Sequence, residues 1–210
     1  SAEIIPDKNW NEEWESKISP IEIDDEVLVR TTFHKTEKKF PIEIIIQPKM
    51  SFGTGHHATT RMMCNLTEQY VKPGEKWIDV GTGTGVLAIL AARLGASSVF
   101  AFDNNEWSIV NSRENIERNN VQDVITLEMS ELQETALPPC DGLAANLYRH
   151  LVIPYAPAFI AAVKPGGVIL VSGILKGQEN SIIRTATKLG WALQRRGRLG
   201  RWFCLQFSPG

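Results

Sequence analysis

Hydrophobic and polar residues along this chain follow two alternating periods. Short runs rich in Val, Ile and Phe are typical of strands, and longer stretches with an apolar residue every three or four positions are typical of amphipathic helices. The predicted strands after residue 75 are KWIDVG, SVFAFD, ITLEM, GLAAN and VILVSGIL, and the predicted helices are GVLAILAARLG, EWSIVNSRENIERN, YAPAFIAAV and QENSIIRTATKLG. Strands that alternate with helices predict a parallel sheet with helices on both faces.

The two ends of the chain depart from this alternation. The last strand runs, WALQRR and RWFCLQF, are joined too closely for a crossover helix and predict an antiparallel hairpin. Near the start, Trp10 and Trp14 share one helical stripe, VLVRTTF and FPIEIIIQP predict strands, and a helix is predicted from Thr59 to about Tyr70; KPGE and KPGG predict turns. We expect residues 1–50 to form an N-terminal extension of helix and strand. Residues 51–210 are expected to form a Rossmann-like, doubly wound, seven-stranded and mostly parallel sheet that ends in the hairpin.

Composition narrows the class of protein. The chain has 210 residues, 43% hydrophobic and 22% charged, which suits one well-buried α/β domain with a short extension. A net charge of −2 gives no reason to expect nucleic-acid binding. An acidic start and a basic end indicate either two solvated faces or a basic docking patch for a substrate. Three distant cysteines without a CxxC motif, and no apolar run of about 18 residues, predict a cytoplasmic protein without a membrane segment. We expect it to act as a monomer.

The stretch DVGTGTGVLAILAARLG is rich in glycine at the turn from a predicted strand into a helix. Gly81, Gly83 and Gly85 allow a sharp turn and let a ligand approach the helix N-terminus closely. Asp103 ends the following strand, where a carboxylate can accept hydrogen bonds from both hydroxyls of a ribose. The G-x-G-x-x-G spacing of dinucleotide oxidoreductases is not met, because Val86 replaces its third glycine. An oxidoreductase cofactor and a turn without any ligand remain alternatives.

Two further segments carry candidate site residues. GLAAN ends at Asn146, at the edge of the sheet where ligands bind in doubly wound folds. Its amide oxygen can accept a hydrogen bond from an acceptor amine, or Asn146 can simply cap the following helix. FGTGHHATT, residues 52–60, combines glycines, adjacent histidines and threonines, which leaves open a metal site, a phosphate cradle or a pocket lid. Zinc requires three or four ligands, and no further Cys, His or Asp cluster supplies them, so we expect no metal.

The D-x-G-x-G-x-G turn followed by an acid at the next strand end resembles class I S-adenosylmethionine-dependent methyltransferases. With PKMSFGTGHHATT, ANLYRHL and KPGGVILVSGIL included, the chain resembles bacterial methyltransferases of large-subunit ribosomal protein eleven, from about Trp10 to its end. The resemblance implies S-adenosyl-L-methionine as cofactor, ribosomal protein eleven as substrate, and methylation of lysine or α-amino groups. It implies that Thr60, Gly81, Asp103 and Asn146 bind the cofactor, over which the FGTGHHATT loop closes.

Further site residues follow from this resemblance. Gly83 belongs to the same turn, Phe52 can cover an apolar part of the cofactor, and Asn146 is expected to orient the acceptor amine. Met129 and Ser130 are expected to contact the adenine, although EMSEL departs here from the Gly-Asp-Ala type sequence expected in the family. The other readings are N-methylation of another protein or of a small molecule, or a module that binds the cofactor without catalysis.

Three expectations concern the acceptor side. His56 and His57 are expected to shape their loop or face the substrate, and Tyr148 and Ile174 are expected to form walls of the acceptor pocket. No residue is assigned as general base, because the methyl donor is already activated. The resemblance begins at the helix that connects the family's separate substrate-gripping N-terminal domain to its catalytic domain. We therefore expect this chain to lack that domain, to bind the cofactor, and to methylate ribosomal protein eleven poorly by itself.

Overall fold

The computed structural model describes residues 20–23, 25–34, 36–47 and 57–210. The helix predicted around Trp10 and Trp14, and the predicted site residue Phe52, lie outside these residues. The strands are β1 (Ile21–Ile23), β2 (Val27–Thr31), β3 (Ile42–Ile46), β4 (Lys76–Val80), β5 (Ser98–Asp103), β6 (Ile125–Met129), β7 (Cys140–Asn146), β8 (Val163–Leu175), β9 (Trp191–Leu199) and β10 (Trp202–Pro209). The helices are α1 (Ala58–Tyr70), α2 (Val86–Arg93), α3 (Glu106–Arg118), α4 (Arg149–Ala162) and α5 (Glu179–Lys188).

The large sheet confirms the predicted doubly wound architecture. Its seven strands lie in the order β6-β5-β4-β7-β8-β10-β9. The strands β4 to β8 run parallel, whereas β10 lies antiparallel to both β8 and β9. The strand order reverses between β4 and β7, because the chain reaches one edge at β6 and then returns to the other side of β4. At such a reversal, the connections that leave the two neighbouring strands pass to opposite faces of the sheet and leave a crevice for a ligand.

Two boundaries differ from the sequence prediction. The predicted KPGG turn lies inside β8, where Gly166 adopts a φ of 82° and the pairing with β7 shifts register. Strand β8 therefore includes these residues, which form an irregularity in its pairing with β7. Helix α4 begins at Arg149, before the start predicted at Tyr155, and it continues through Pro154 and Pro157. Both prolines are exposed, so the carbonyl groups that lose an N–H partner can be hydrated.

A small three-stranded sheet packs beside the large one. It has the order β1-β2-β3, with β1 antiparallel and β3 parallel to β2. Its buried side chains, such as Ile23, Val29 and Ile44, belong to the same hydrophobic cluster as Leu87 and Ile89 of α2. The small sheet therefore covers the helical layer that supports β4. None of the described helices is both long enough and apolar enough to cross a membrane.

A buried acid joins the end of β4 to the start of α2. Asp79 is only 3% exposed, and its Oδ2 accepts hydrogen bonds from the Thr82 hydroxyl at 2.7 Å and from the Ala88 amide at 3.2 Å. Burial raises the pKa of Asp79 to about 6, against the lowering effect of these two hydrogen bonds, and the charge of Asp103 adds to the rise. The carboxylate thus fixes the path of the turn between β4 and α2, but ionising it inside the protein costs free energy.

This cost predicts a specific pH dependence of stability. The folded pKa of Asp79 lies above that of an unfolded aspartate, so its favourable contribution is complete below about pH 4 and is lost as the pH rises through about 6. The unfolding free energy of the wild type should therefore fall relative to that of Asp79→Asn over this interval. We expect a fall on the order of 2–3 kcal/mol and a constant difference above about pH 7.

Urea denaturation of both proteins at a series of pH values measures this difference. Asp141→Asn provides a control, because a hydrogen bond from Lys164 lowers the pKa of Asp141, the opposite direction. The wild type should show no such fall relative to Asp141→Asn. Parallel pH profiles for the wild type and Asp79→Asn would contradict the assignment of a buried, titrating Asp79.

Candidate active site

A cavity of about 700 Å³ opens at the carboxyl ends of β4, β5 and β7. Its wall extends across the sheet, from the segment after β6 to the start of β10. A volume of this size is typical of sites that enclose a nucleoside-sized ligand together with part of a second reactant. Of the residues predicted from sequence, the cavity wall brings together Gly81, Gly83, Asp103, Ser130 and Asn146.

The glycines of the turn after β4 have conformations that other residues rarely adopt. The φ angles are 70° at Gly81, 58° at Gly83 and 83° at Gly85, all in the left-handed region. A Cβ atom at Gly81 would also lie 2.6 Å from Cδ2 of Leu147. The turn therefore depends on glycine both for its backbone path and for its close approach to the segment after β7.

Asp103 is held in place by backbone groups on the cavity wall. Its Oδ2 accepts a hydrogen bond from the Gly83 amide at 2.9 Å, and its Oδ1 accepts one from the Asn105 amide at 3.0 Å. Asn105 in turn caps α3, since its side chain accepts from the Ser108 amide at 3.1 Å. Each carboxylate oxygen has a further lone pair. The geometry thus leaves Asp103 able to accept two hydroxyl groups of a ligand without releasing the turn.

Asn146 has a buried acceptor without a protein donor. Its side chain lies on the cavity wall at the end of β7, and its Oδ1 has no hydrogen-bond partner among the described residues. An unpaired buried acceptor costs roughly 1–3 kcal/mol and indicates either strain or a missing ligand donor. The alternative role as a helix cap is not observed, because the N-cap of α4 is Tyr148, which makes no side-chain cap bond.

The threonines at the start of α1 occupy different environments. Both are at most 1% exposed, but Thr59 lies on the cavity wall whereas Thr60 lies outside it. The Oγ1 of Thr60 is nevertheless buried without a partner, as is Oδ1 of Asn146. His57 caps α1 and accepts from the Thr59 amide at 3.4 Å, so it shapes the entry to this helix while also contributing to the wall.

The segment after β6 differs in part from the prediction. Ser130 reaches the cavity, but Met129 is 59% exposed and lies outside its wall. The wall continues instead through Glu131 and Leu132, which the sequence analysis missed. Glu131 accepts a hydrogen bond from the Asn104 side chain at 3.1 Å. The strand-end rule that selects Asp103 would also have selected these residues, since they follow the carboxyl end of β6.

Aromatic side chains form the opposite end of the cavity. Trp202, the first residue of β10, meets His57 edge to face with a centroid distance of 4.6 Å, and the Arg201 guanidinium lies 5.5 Å from its ring centroid. Tyr148 is 60% exposed and stacks on His150. Of the two residues expected to form walls of the acceptor pocket, Tyr148 lies on the cavity wall, whereas Ile174 is fully buried in the core. Trp202 and Arg201 were not predicted, because only the strand order brings β10 beside β8.

The described residues contain no group of three or more His, Cys, Asp or Glu side chains that could hold a metal ion. The cavity instead combines a glycine turn, an acid positioned for hydroxyl groups, an unpaired amide oxygen and aromatic side chains. Such a wall can bind a nucleoside at its β5–β6 end and hold a second reactant near Asn146. This arrangement suits group transfer between two bound molecules.

Comparison with known proteins agrees with this geometry. The family model "Ribosomal protein L11 methyltransferase (PrmA)" matches residues 1–209. A ribosomal protein L11 methyltransferase of Porphyromonas gingivalis is 39% identical over all of this chain and 72% of its own length. Another, from Phocaeicola vulgatus, is 37% identical over 96% of this chain and 72% of its own length.

A solved structure shares the fold over nearly its whole length. The crystal structure of a ribosomal protein L11 methylase from Lactobacillus delbrueckii subsp. bulgaricus superposes with a TM-score of 0.81 and 27% sequence identity, covering 90% of this chain and 98% of that one. The resemblance to methyltransferases of ribosomal protein eleven is thereby confirmed. The chain belongs to the ribosomal protein L11 methyltransferase (PrmA) family.

Proposed function

We propose that this protein transfers methyl groups from S-adenosylmethionine to amino groups of ribosomal protein L11, with lysine side chains and the α-amino group as acceptors. The observation that carries the proposal is the buried, unpaired Oδ1 of Asn146. It lies on the cavity wall between the glycine turn and the aromatic end. An amine bound there would supply the N–H donor that the fold does not provide.

The remaining wall fits S-adenosylmethionine as cofactor. Gly81 and Gly83 leave room for close approach at the end of β4, and Asp103 can accept both ribose hydroxyls. Ser130 and Glu131 lie on the cavity wall beyond β5, and we expect the adenine of the cofactor to extend toward them. When bound, this cofactor supplies a methyl group already activated on a sulfonium centre. The chain's own residues therefore need to position the acceptor and exclude water rather than create a nucleophile.

Positioning the acceptor includes selecting its neutral form. A lysine has a pKa of about 10.4 in water, so only a small fraction is neutral at pH 7. Transfer into a cavity partly lined by aromatic rings, next to a cationic cofactor, lowers that pKa. The Asn146 side-chain oxygen can accept a hydrogen bond from one N–H of the neutral amine. This bond would direct the nitrogen lone pair at the methyl carbon. An amide is too weak a base to take the proton, which is released to solvent.

The proposal also covers the cellular compartment, the class of partner and the oligomeric state of the protein. Its three cysteines are buried free thiols, and burial raises the pKa of Cys64 and of Cys140 to about 12, so both are unreactive at neutral pH. Free thiols suit a reducing cytoplasm. A net charge of −2 gives no reason to expect nucleic acid as a direct partner. We include in the proposal that the protein acts as a monomer.

The direct test is methyl transfer from isotope-labelled S-adenosylmethionine to purified L11, followed by mass spectrometry of the modified residues. L11 with acetylated lysines and a blocked N-terminus is the matched control and should accept no label. Untreated L11 should take up label on lysine side chains or on its α-amino group. Labelling of the blocked control, or no labelling of untreated L11, would contradict the proposed acceptor.

A first prediction concerns cofactor affinity. Because Asp103 is positioned to accept both ribose hydroxyls, Asp103→Ala should weaken S-adenosylmethionine binding by about 2–3 kcal/mol, as for charge-assisted hydrogen bonds. Isothermal titration calorimetry measures the change. Glu128→Ala is the control, since Glu128 is an exposed acid on the neighbouring strand and lies outside the cavity wall. Equal affinities for wild type and a folded Asp103→Ala would exclude Asp103 from the site.

A second prediction separates binding from turnover. Asn146→Ala removes an acceptor that has no protein partner, so the unliganded protein should lose little stability. Turnover at saturating cofactor should nevertheless fall roughly 100-fold, because the acceptor amine loses its orientation. Asn65→Ala, at an exposed position of α1, is the control and should retain full turnover. Recovery of the Asn146→Ala rate by excess cofactor would show that Asn146 does not orient the acceptor.

A further inference from the structure

Helix α3 has a buried face made of polar side chains. Asn111, Ser112 and Asn115 are at most 1% exposed, and Asn119 is 6% exposed. Buried amides and hydroxyls require hydrogen-bond partners. Two groups of partners lie outside the helix: carbonyl groups of the glycine turn, and backbone groups of β3 and the residue after it.

The first group fixes two consecutive peptides of the glycine turn. The Ser112 hydroxyl donates to the Gly83 carbonyl at 2.7 Å, and the Asn115 amide donates to the Thr84 carbonyl at 2.9 Å. The amide of Gly83 already donates to Asp103. Gly83 is thus held at its N–H by the acid of the cavity wall and at its carbonyl by α3. A glycine at positive φ has wide conformational freedom, so these bonds restrict a residue that would otherwise be mobile.

The second group attaches the small sheet to the same helix. The Asn115 side chain accepts a hydrogen bond from the backbone N–H of Gln47 at 2.8 Å and donates one to the backbone carbonyl of Gln47 at 3.3 Å. Asn119 pairs in the same way with Ile45, at 2.9 and 2.8 Å. Four residues of helix rise about 6 Å and two residues of strand about 6.6 Å, so the two asparagines match alternate residues of the chain. They replace the neighbouring strand that the edge strand β3 lacks.

Both asparagines also bond within α3, but of the two only Asn115 bonds to the glycine turn. We infer that Asn115 is a positioning residue for the cofactor-binding turn, which it holds in register with the β3 edge of the small sheet. The inference rests on the proposed function, in which the turn containing Gly81 and Gly83 binds S-adenosylmethionine. Without the Asn115 side-chain amide, the Thr84 carbonyl loses this hydrogen bond and the turn samples conformations that do not bind the cofactor.

Asn119→Ala is a matched control for Asn115→Ala. Both variants remove one side-chain pair to the β3 segment, so both should lower the thermal midpoint of unfolding. Only Asn115→Ala should weaken S-adenosylhomocysteine binding, by at least about 10-fold, while Asn119→Ala should stay within about 2-fold. Asn115→Asp retains an acceptor for the Gln47 amide but cannot donate to Thr84. It should weaken binding as strongly as Asn115→Ala.

A measurement on the protein without cofactor tests the positioning separately. Hydrogen exchange of the Gly83 amide, followed by NMR, should accelerate at least about 10-fold in Asn115→Ala and in the milder Ser112→Ala, but not in Asn119→Ala. Unchanged exchange in the first two variants, or wild-type affinity in Asn115→Asp, would overturn the inference. If the wild type itself fails to bind S-adenosylhomocysteine, the proposed function fails, while the exchange result still decides the role of Asn115.

Discussion

The fixed path of the chain between β4 and α2 is the constraint on which the site depends. The turn includes three glycines at positive φ, and a Cβ atom at Gly81 would require the Leu147 side chain to move. Such a turn gains little from its own local contacts, so it is stabilised from outside. Asp79 accepts hydrogen bonds from residues at the start of the turn and in the first turn of α2. Asp103, on the neighbouring strand, accepts one from Gly83 in the middle of the turn. The cofactor wall is therefore organised before a ligand arrives, which lowers the entropic cost of binding.

The two acids at this turn have opposite environments and therefore opposite uses. Asp79 is buried, and its raised pKa shows that its charge is costly there. It serves as an acceptor for backbone and hydroxyl groups within the protein. Asp103 is only partly buried and shares its carboxylate between backbone amides and the cavity. One acid thus stabilises the architecture, while the other is available to a ligand.

The order of strands gives the cavity a direction. Polar residues that follow β5 and β6 line one end, and aromatic residues near β8 and β10 line the other. Asn146 lies between them at the end of β7. In the proposed function, the methyl donor and the acceptor would meet near this position. The antiparallel strand β10 contributes directly, because its first residue, Trp202, reaches the cavity wall.

Local patterns in the amino-acid sequence were enough to predict most elements and the polar residues at strand ends. The alternation of apolar periods predicted the parallel sheet, and the glycine turn, Asp103 and Asn146 could be chosen because catalytic side chains follow the strands of such sheets. Ser130 was predicted from the family resemblance, and the rule of strand ends could have added Glu131. Local rules fail where the chain itself overrides them. Gly166 lies within β8 rather than in a turn, since pairing with β7 outweighs its turn preference.

Which distant segments share the site depends on how the elements pack in three dimensions. Trp202 enters the cavity because β10 inserts between β8 and β9, and no local pattern specifies that order. The buried face of α3 was equally invisible in the sequence, where Asn115 resembles any polar helix residue. Its role depends on backbone groups of Gln47 and Thr84, which lie far away along the chain. Short-range periodicity reports which face of an element is apolar, whereas hydrogen bonds between backbone and distant side chains depend on how the elements pack.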